Sequence, residues 1–234
     1  MRRTVVVTDP PRADDAVATA LGELGTATVH EAMGRGGYLG PQFRPAWTGA
    51  QTGGTAVTVE CWPGDNLMIH VAVEQCRPGD VLVVATTSPS SDGLFGELFA
   101  TSLMQRGVRG VVLGSGIRDV ADLRRLEFPA WSTAVSAQGT VKATAGAVNV
   151  PIVLGGQVIN PGDVVVGDDD GVAVVPRAHA ADTLAKAEAR VANEEAARQA
   201  FKGGELGLDR YGMRERLADF GIEYVSYEDY HKGE

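Results

Sequence analysis

The sequence predicts an α/β protein in which parallel strands alternate with helices, and three observations point to this class. Between residues 53 and 135, apolar runs of strand length alternate with amphipathic stretches of helical length. After residue 139 the apolar runs shorten and are separated by Gly, Pro and Asp, which is typical of strands joined by tight turns. From residue 177 a stretch rich in Ala, Glu and Arg predicts a long, largely exposed helix.

The individual elements follow from local signals. Asp14 and Asp15 precede an Ala-rich stretch that predicts a helix ending at Leu24, and a second helical segment, 28–33, ends at Gly34. Asp65 is placed to cap the next helix. Strands are predicted at 53–62, 80–86, 108–113 and 129–135, and helices at 66–77, 96–107 and 120–127. Because each helix fits between consecutive strands, this alternation indicates parallel strands with helices across them.

Length and composition limit the organisation and the partners. The 234 residues suit one domain with an appendage, and we predict an α/β catalytic domain at 1–176 and a C-terminal helix and tail at 177–234 that pack on a neighbouring subunit. A net charge of −9 argues against a nucleic-acid partner. No apolar run reaches the length of a membrane helix, so no membrane partner is expected. Two isolated cysteines and the absence of a signal-peptide core at the N-terminus predict a cytoplasmic protein.

Several familiar chemistries lack their motif. The carboxylates of GDDDG, Asp168 to Asp170, lie between valine runs, which favours a hairpin turn over a metal site. The pair His30-Glu31 lacks the second histidine of a zinc protease motif, and no nucleophile elbow, P-loop or dinucleotide fingerprint occurs. Lys142 is the one lysine outside polar helical or tail segments, and it is the only candidate for Schiff-base chemistry.

A stronger signal comes from two strand-to-helix junctions. If strands 80–86 and 108–113 are neighbours, both junctions open at the same carboxyl edge of the sheet, where ligands bind in such folds. The second junction carries Arg118, a planar cation, and Asp119, a hard oxygen ligand. The first offers the free backbone N–H groups of a starting helix, from Gly96, Glu97, Leu98 and Phe99. Together they suit an anionic 2-oxo acid on Mg²⁺, although Glu97 and Asp119 would equally stabilise helix N-termini while Arg118 pairs on the surface.

The stretch GELFATSLMQRGVRGVVLGSGIRDVAD resembles the signature of a known family. This family contains 4-hydroxy-4-methyl-2-oxoglutarate and 4-carboxy-4-hydroxy-2-oxoadipate aldolases together with the regulators of RNase E activity. Its aldolase pattern is an acidic residue, twenty others and then Arg-Asp, which Glu97, Arg118 and Asp119 match; Asp122 matches a further acidic position. Two departures are Glu97, where Asp is frequent, and Gly114, where many relatives have Asp.

The resemblance covers nearly the whole chain. It extends over HEAMGRGGYLGP, GDNLMIHVAVEQCRPGDVLVV and INPGDVVVGDDDGVAVVP. The tail GELGLDRYGMRERLADFGIEYV is similar to the C-terminal extension of the oxoadipate aldolases of protocatechuate and gallate breakdown, which favours an enzyme. The fold implied is a layered α/β sandwich of the swivelling phosphohistidine-domain type, like the RNase E regulators, with a C-terminal helical extension.

The activity implied is that of a divalent-metal-dependent (class II) pyruvate aldolase. Mg²⁺ or Mn²⁺ would be held by Asp119 and otherwise by water, and Arg118 would stabilise the pyruvate enolate. The backbone amides of residues 96–99 would hold the pyruvyl carboxylate, and Glu97 would order the water that serves as base. Oxaloacetate decarboxylation is expected as a side activity, because it passes through the same enolate. The alternatives are a dedicated oxaloacetate decarboxylase and a non-catalytic binding protein like the RNase E regulators.

The resemblance also implies a homotrimer, or a homohexamer of two trimers. In this family a glutamate from the neighbour's C-terminal helix approaches the water around the metal; Glu194 is the first match and Glu195 the second. Asp122 is a further candidate for a position behind the metal site. The candidates for binding a distal substrate carboxylate are Arg35, Arg210 and Arg214.

Overall fold

The computed structural model describes residues 4–231, which form two compact units that divide at Glu188. The strands are β1 Val5–Val6, β2 Arg44–Pro45, β3 Thr52–Cys61, β4 Asp80–Thr86, β5 Gly93–Phe95, β6 Gly110–Ile117, β7 Ala130–Val135, β8 Ala147–Val148, β9 Ile152–Leu154, β10 Gln157–Ile159, β11 Val164–Asp168 and β12 Gly171–Val175. The helices are α1 Asp15–Leu24, α2 Thr26–Ala32, α3 Leu67–Gln75, α4 Glu97–Met104, α5 Val120–Arg125, α6 Ala180–Lys202, α7 Gly207–Arg210, α8 Arg214–Asp219 and α9 Tyr227–His231. The predicted boundary at residue 176 precedes α6, whereas the division between the units falls inside this helix.

The first unit is built on a mixed sheet whose centre is parallel. Strands β3, β4, β6 and β7 are neighbours in this order and run in the same direction. Antiparallel strands flank them, since β11 pairs with β3 and β2 pairs with β7. Both the α/β class and the predicted parallel strands are confirmed, and β11 and β2 make the sheet mixed.

The central strands are apolar along their whole length because both faces of the sheet are covered. In β4, every residue from Val81 to Val84 is fully buried. One face packs against α3, α4 and α5 and includes Phe95 and Phe128, and the other packs around Trp131. A third apolar cluster joins α1 to β11. The packing on both faces positions the ends of the strands, and with them the chain segments that follow each strand.

The acidic segment predicted as a turn is a hairpin turn between β11 and β12, where Asp168 pairs with Gly171. Gly171 has a φ of 130°, which an L side chain rarely adopts. The Asp168 carboxylate accepts the backbone N–H of Thr26 at 2.7 Å, at the start of α2, and Asp169 accepts that of Gly49 at 2.8 Å. The turn prediction is therefore confirmed, and two of its carboxylates satisfy backbone donors of neighbouring segments.

The second unit contains the C-terminal half of α6 and the short helices α7, α8 and α9. Residues 203–231 are mostly exposed, including Phe220, Ile222, Tyr224 and Val225. Among residues 4–231, no helix combines the length and the apolar character needed to cross a membrane.

Candidate functional site

The two predicted junctions lie side by side at the carboxyl edge of the sheet. They are joined through β5, a three-residue strand that the sequence did not predict, which pairs in parallel with the end of β6. Phe95 pairs with Ile117, so α4 begins directly after one strand and α5 begins directly after its neighbour. The backbone N–H of Arg118 donates to the carbonyl of Phe95 at 2.9 Å. The prediction that these junctions share an edge is confirmed, with β5 in the position expected for β4.

Asp119 is held in a strained backbone conformation between the two helices. Its φ of 57° and ψ of 36° place it in the left-handed region, which few non-glycine residues occupy. Its Oδ2 accepts the backbone N–H of Glu97 at 3.1 Å and lies 3.7 Å from Nε of Arg118. A Cβ atom at Gly96 would lie 2.3 Å from this same oxygen, so the close approach requires glycine there. The Arg-Asp pair is thus positioned by the first residues of α4.

The backbone N–H groups that the sequence predicted as anion-binding donors lie at the start of α4. Of the four backbone N–H groups considered, that of Glu97 is donated to Asp119. Those of Leu98 and Phe99 are in the first turn, where a helix offers no internal acceptor. The Glu97 carboxylate turns back along its own helix and accepts the Thr101 hydroxyl at 2.8 Å.

The junctions open into a cavity of about 450 Å³. Predicted site residues in its lining are Gly96, Leu98, Phe99, Arg118 and Asp119. Glu97 does not line the cavity, but its backbone holds the Asp119 carboxylate. The lining also contains four polar residues that were not predicted for this site, Asn66, His70, Ser102 and Lys142. The available signal was weak: Asn66 and His70 lie four residues apart, at the helical spacing that places two side chains on one face.

His70 lies against the ring of Phe99, with ring centroids 4.5 Å apart. Burial lowers the pKa of His70 from its ordinary value of 6.5, and the positive charge of Lys142 lowers it further. A neutral imidazole therefore faces the cavity at neutral pH.

Lys142 reaches the cavity because Asp65 holds its loop. The buried Asp65 carboxylate accepts the backbone N–H groups of Ala143 at 2.9 Å and Thr144 at 2.7 Å. It also accepts that of Leu67 at 2.9 Å, at the start of α3. The N-cap residue of α3 is Asn66, one residue after the predicted Asp65, but the Asp65 carboxylate accepts the first backbone N–H of the helix and also joins two walls of the cavity.

Asn66 presents an unpaired acceptor. This residue is only 7% exposed, and its Nδ2 donates to the Leu94 carbonyl at 3.1 Å. Its Oδ1 is buried and receives no hydrogen bond from any residue between 4 and 231. Because buried polar groups are nearly always paired in folded proteins, this oxygen marks a place where a ligand donor would bind.

The other predicted residues lie outside this cavity lining. Asp122 follows Asp119 on α5 and is paired with Arg125. Arg35 is exposed and paired with Glu31, in a loop outside the lining. Gly114 lies in β6, where a Cβ atom would be 2.4 Å from Cδ1 of Leu154, so the Leu154 side chain would have to move to admit an aspartate at this position.

The remaining candidates belong to the second unit. There, Glu194 is paired with Arg190, Glu195 with Arg198, Arg210 with Glu205 and Arg214 with Asp209. Within the described part of the chain, no three His, Cys, Asp or Glu side chains come together as a metal-binding group.

Comparison with known proteins identifies the family. A family profile described as Aldolase/RraA matches residues 26–174. A protein of Halalkalibacterium halodurans, provisionally named a 4-hydroxy-4-methyl-2-oxoglutarate aldolase, is 31% identical over 186 residues, covering 80% of this chain and 89% of the relative. Among the relatives of the same name, that of Shewanella oneidensis is 34% identical over 121 residues, covering 52% of this chain and 73% of the relative.

Solved structures agree with the fold. RraAS2 of Streptomyces coelicolor, described as an unusual member of the RNase ES inhibitor RraA protein family, superimposes with a TM-score of 0.73 at 29% identity, over 81% of this chain and 99% of that one. An uncharacterized protein from Pseudomonas syringae has a TM-score of 0.72 at 25% identity, over 84% of this chain and 97% of that one. The mixed α/β fold with an Arg-Asp pair at its sheet edge defines a protein of the Aldolase/RraA class. This chain belongs to the RraA-like family.

Proposed function

We propose that this protein is a cytoplasmic, divalent-metal-dependent aldolase that cleaves 4-hydroxy-2-oxo acids and releases pyruvate. The substrates are 4-carboxy-4-hydroxy-2-oxoadipate, which yields pyruvate and oxaloacetate, and 4-hydroxy-4-methyl-2-oxoglutarate, which yields two pyruvates. These reactions belong to the breakdown of protocatechuate and gallate. The observation that carries the proposal is the convergence of Arg118, Asp119 and the first turn of α4 on one cavity. The aldolase names of the relatives support it.

The residues of the cavity fit a Mg²⁺ or Mn²⁺ ion. Asp119 offers a carboxylate that is 38% exposed at its side chain and belongs to a residue of the cavity lining. Hard oxygen donors suit these ions, and Mg²⁺ commonly keeps several waters while binding one or two carboxylates. When bound, the ion supplies Lewis-acid polarisation of the 2-oxo acid. Asp119 is the residue that would hold it.

The chain itself binds the pyruvyl half of the substrate. The backbone N–H groups of Leu98 and Phe99 point out of the N-terminus of α4, where the helix dipole favours an anion, and they receive the substrate carboxylate. When the C3–C4 bond breaks, its electron pair moves to C3 and delocalises onto the C2 oxygen. The guanidinium of Arg118 stabilises that negative charge, because it is a permanent cation of the cavity lining.

Cleavage also requires removal of the C4 hydroxyl proton. We assign to Glu97 the ordering of the water molecule that accepts this proton. Glu97 directly follows Gly96 of the cavity lining in the sequence, and its carboxylate accepts the Thr101 hydroxyl. Replacing Thr101 by Val should therefore disturb this carboxylate without touching Arg118 or Asp119.

The test is pyruvate release from 4-carboxy-4-hydroxy-2-oxoadipate, coupled to lactate dehydrogenase, with Mg²⁺ and with EDTA. Turnover should require the metal and should be lost in Asp119→Ala and Arg118→Ala. Asp182→Ala is the matched control, because Asp182 is an exposed aspartate paired with Lys186 outside this cavity. Metal-independent turnover, or full activity in Asp119→Ala, would overturn the proposal.

Oxaloacetate decarboxylation, measured in parallel with its uncatalysed rate subtracted, is expected to be slower than aldol cleavage. A decarboxylation faster than aldol cleavage would indicate a dedicated decarboxylase.

We further propose that the protein assembles as a homotrimer or as a homohexamer of two trimers. Exposed apolar side chains support an assembly, since Val153 and Val158 form a cross-strand pair on β9 and β10 and are 65% and 63% exposed. In this assembly, Glu194 of one subunit approaches the site of another, with Glu195 as the alternative. Light scattering coupled to size exclusion gives the subunit number. Loss of activity in Glu194→Gln with an unchanged subunit number would support this role.

A second candidate is a regulator-like binding function, which the likeness to RraAS2 favours. A protein of this kind would act through its acidic surface on a protein partner and would need no metal. Asp119→Ala separates the two functions, because it should abolish turnover and leave such binding intact.

A further inference from the structure

Asn66 is fixed at the junction of two cavity walls. It directly precedes α3, and only 7% of its surface is exposed. The backbone around it is held on both sides: its own N–H donates to the Val141 carbonyl at 3.0 Å, and Ile69 donates to its carbonyl at 3.1 Å. The side chain thus starts from a backbone that has little freedom to move.

The orientation of the Asn66 amide follows from its one side-chain hydrogen bond. The partner of Nδ2 is the carbonyl of Leu94, which can only accept, so the nitrogen must face Leu94 and the oxygen must face away from it. Oδ1 is therefore a pure acceptor with an assigned direction. It has no protein donor within residues 4–231.

A group of an organic substrate that pairs with Oδ1 must be a hydrogen-bond donor. A carboxylate or a keto oxygen cannot do this, because both are acceptors at neutral pH. In a 4-hydroxy-2-oxo acid the carboxylates and the keto group are acceptors, and the C4 hydroxyl is the one donor. Resting on the proposed aldolase function, we propose that Asn66 is the specificity-determining residue that binds the C4 hydroxyl of the substrate.

This assignment gives Asn66 a role in one reaction and not in the other. Aldol cleavage starts from a C4 hydroxyl, which Asn66 orients in the bound substrate. The hydroxyl then turns its single proton to the water that Glu97 orders, and this water accepts the proton when the C3–C4 bond breaks. Oxaloacetate decarboxylation breaks the corresponding C3–C4 bond, releases CO₂ and leaves its electron pair on the same pyruvate enolate, but oxaloacetate has no C4 hydroxyl. The two reactions therefore share the pyruvyl site at α4 and Arg118, and only the first uses Asn66.

The experiment compares both reactions in wild type and Asn66→Ala with Mg²⁺. We expect kcat/KM for cleavage of 4-hydroxy-4-methyl-2-oxoglutarate to fall by about 10- to 100-fold. The reason is that the variant lacks the side-chain oxygen that binds the substrate hydroxyl. Decarboxylation of oxaloacetate should change less than about threefold, within the spread expected of an uninvolved residue. An equal loss in both reactions would overturn the proposal.

Asn149→Gly is the matched control. Asn149 is also buried, its Nδ2 also donates to a backbone carbonyl, that of Val7, and its Oδ1 also lacks a protein donor. It does not line the cavity. Glycine suits its φ of 55°. This variant should leave the ratio of the two activities unchanged; a changed ratio would show that the loss of any buried amide can produce the effect and would overturn the proposal.

A wild-type measurement covers the case in which Asn66→Ala does not fold. Inhibition of oxaloacetate decarboxylation is measured with 4-hydroxy-2-oxoglutarate and with 2-oxoglutarate, which differ only in the C4 hydroxyl. The hydroxylated acid should bind at least about 10-fold more tightly, and equal binding would overturn the proposal. Failure of the aldolase function itself is distinguishable, because the wild type would then release no pyruvate from 4-hydroxy-4-methyl-2-oxoglutarate.

Discussion

The carboxylate of Asp119 accepts the backbone N–H of Glu97 at 3.1 Å, which joins the start of α5 to the start of α4. Twenty-one residues lie between these two positions in the sequence. The contact exists because β5 and β6 end at the same edge of the sheet. One hydrogen bond thus places the Arg-Asp pair next to the first turn of α4.

Gly96→Ala tests this relationship. The added Cβ would lie 2.3 Å from Oδ2 of Asp119, so the carboxylate must move while the surrounding core stays in place. We expect the rate of pyruvate release to fall by about 100-fold, because a displacement of about 1 Å in a group at the reacting centre has an effect of this size. The Tm should change little. Gly36→Ala is the control, since its nearest contact would be an ordinary 3.5 Å. Wild-type activity in a folded Gly96→Ala protein would contradict the role assigned to this contact.

Asp65→Asn should destabilise the protein by about 2 kcal/mol, because one carboxylate satisfies three backbone donors. Burial raises the pKa of Asp65, but the N–H groups of Leu67, Ala143 and Thr144 outweigh it, and the pKa is lowered from its ordinary value of 3.8. A lowered folded-state pKa stabilises the protein above pH 3.8, and this contribution is lost as the pH falls through the folded-state value. Urea unfolding at several pH values measures the difference between wild type and variant.

This difference should be constant between neutral pH and about pH 4 and should shrink below it. Asp182→Asn, at an exposed ion pair, should change stability by less than about 1 kcal/mol. A difference that grows on acidification would have the wrong sign.

His70 should titrate below its ordinary pKa of 6.5, because it is partly buried and Lys142 is positively charged. The unfolded chain then binds a proton more readily than the folded protein, so this group lowers stability as the pH falls through 6.5. Nuclear magnetic resonance of the imidazole signals gives the titration directly. Lys142→Ala should raise the pKa of His70 part of the way back towards 6.5, because burial, the larger cause of the lowering, remains. Lys186→Ala should leave the pKa of His70 unchanged. A midpoint at or above 6.5 in the wild type would contradict this prediction.

Arg12→Ala should be strongly destabilising. Asp80 is completely buried. Its carboxylate accepts hydrogen bonds from Nε of Arg12 at 2.8 Å, from Nη2 of Arg12 at 2.9 Å and from the Thr55 hydroxyl at 2.6 Å. Removing the guanidinium leaves a buried carboxylate without its counter-charge, which costs about 3 kcal/mol or more. Thermal or urea unfolding measures the loss. The double variant Arg12→Ala with Asp80→Asn should recover part of it, and no recovery would indicate that lost packing, not the unpaired charge, causes the effect.

Much of the fold could be predicted because its elements depend on local signals. Asp14 caps α1 by accepting the backbone N–H groups of Ala16 and Val17, as an aspartate before an Ala-rich stretch predicts. The continuous apolar run of β4 predicted a strand buried on both faces. β5 was missed, since a strand of three residues after a Ser- and Pro-rich segment has no periodicity of its own. Arg118 and Asp119 lie in the lining of one cavity, and their place at the edge of the sheet could be predicted because they directly follow a strong strand.

The sequence by itself determined the α/β class, the parallel direction of the central strands and the place of the Arg-Asp pair directly after a strand, because hydrophobic period and helix capping act between residues that are close along the chain. Only the tertiary structure decided that Asn66, His70 and Lys142 share a cavity with that junction. Lys142 is far from α3 in the sequence, and it is brought there by the hydrogen bonds of Asp65 to Ala143 and Thr144. The placement of these three residues in one cavity depends on how helices pack across a sheet and on which backbone N–H groups bind a buried carboxylate. Local residue patterns do not contain this information.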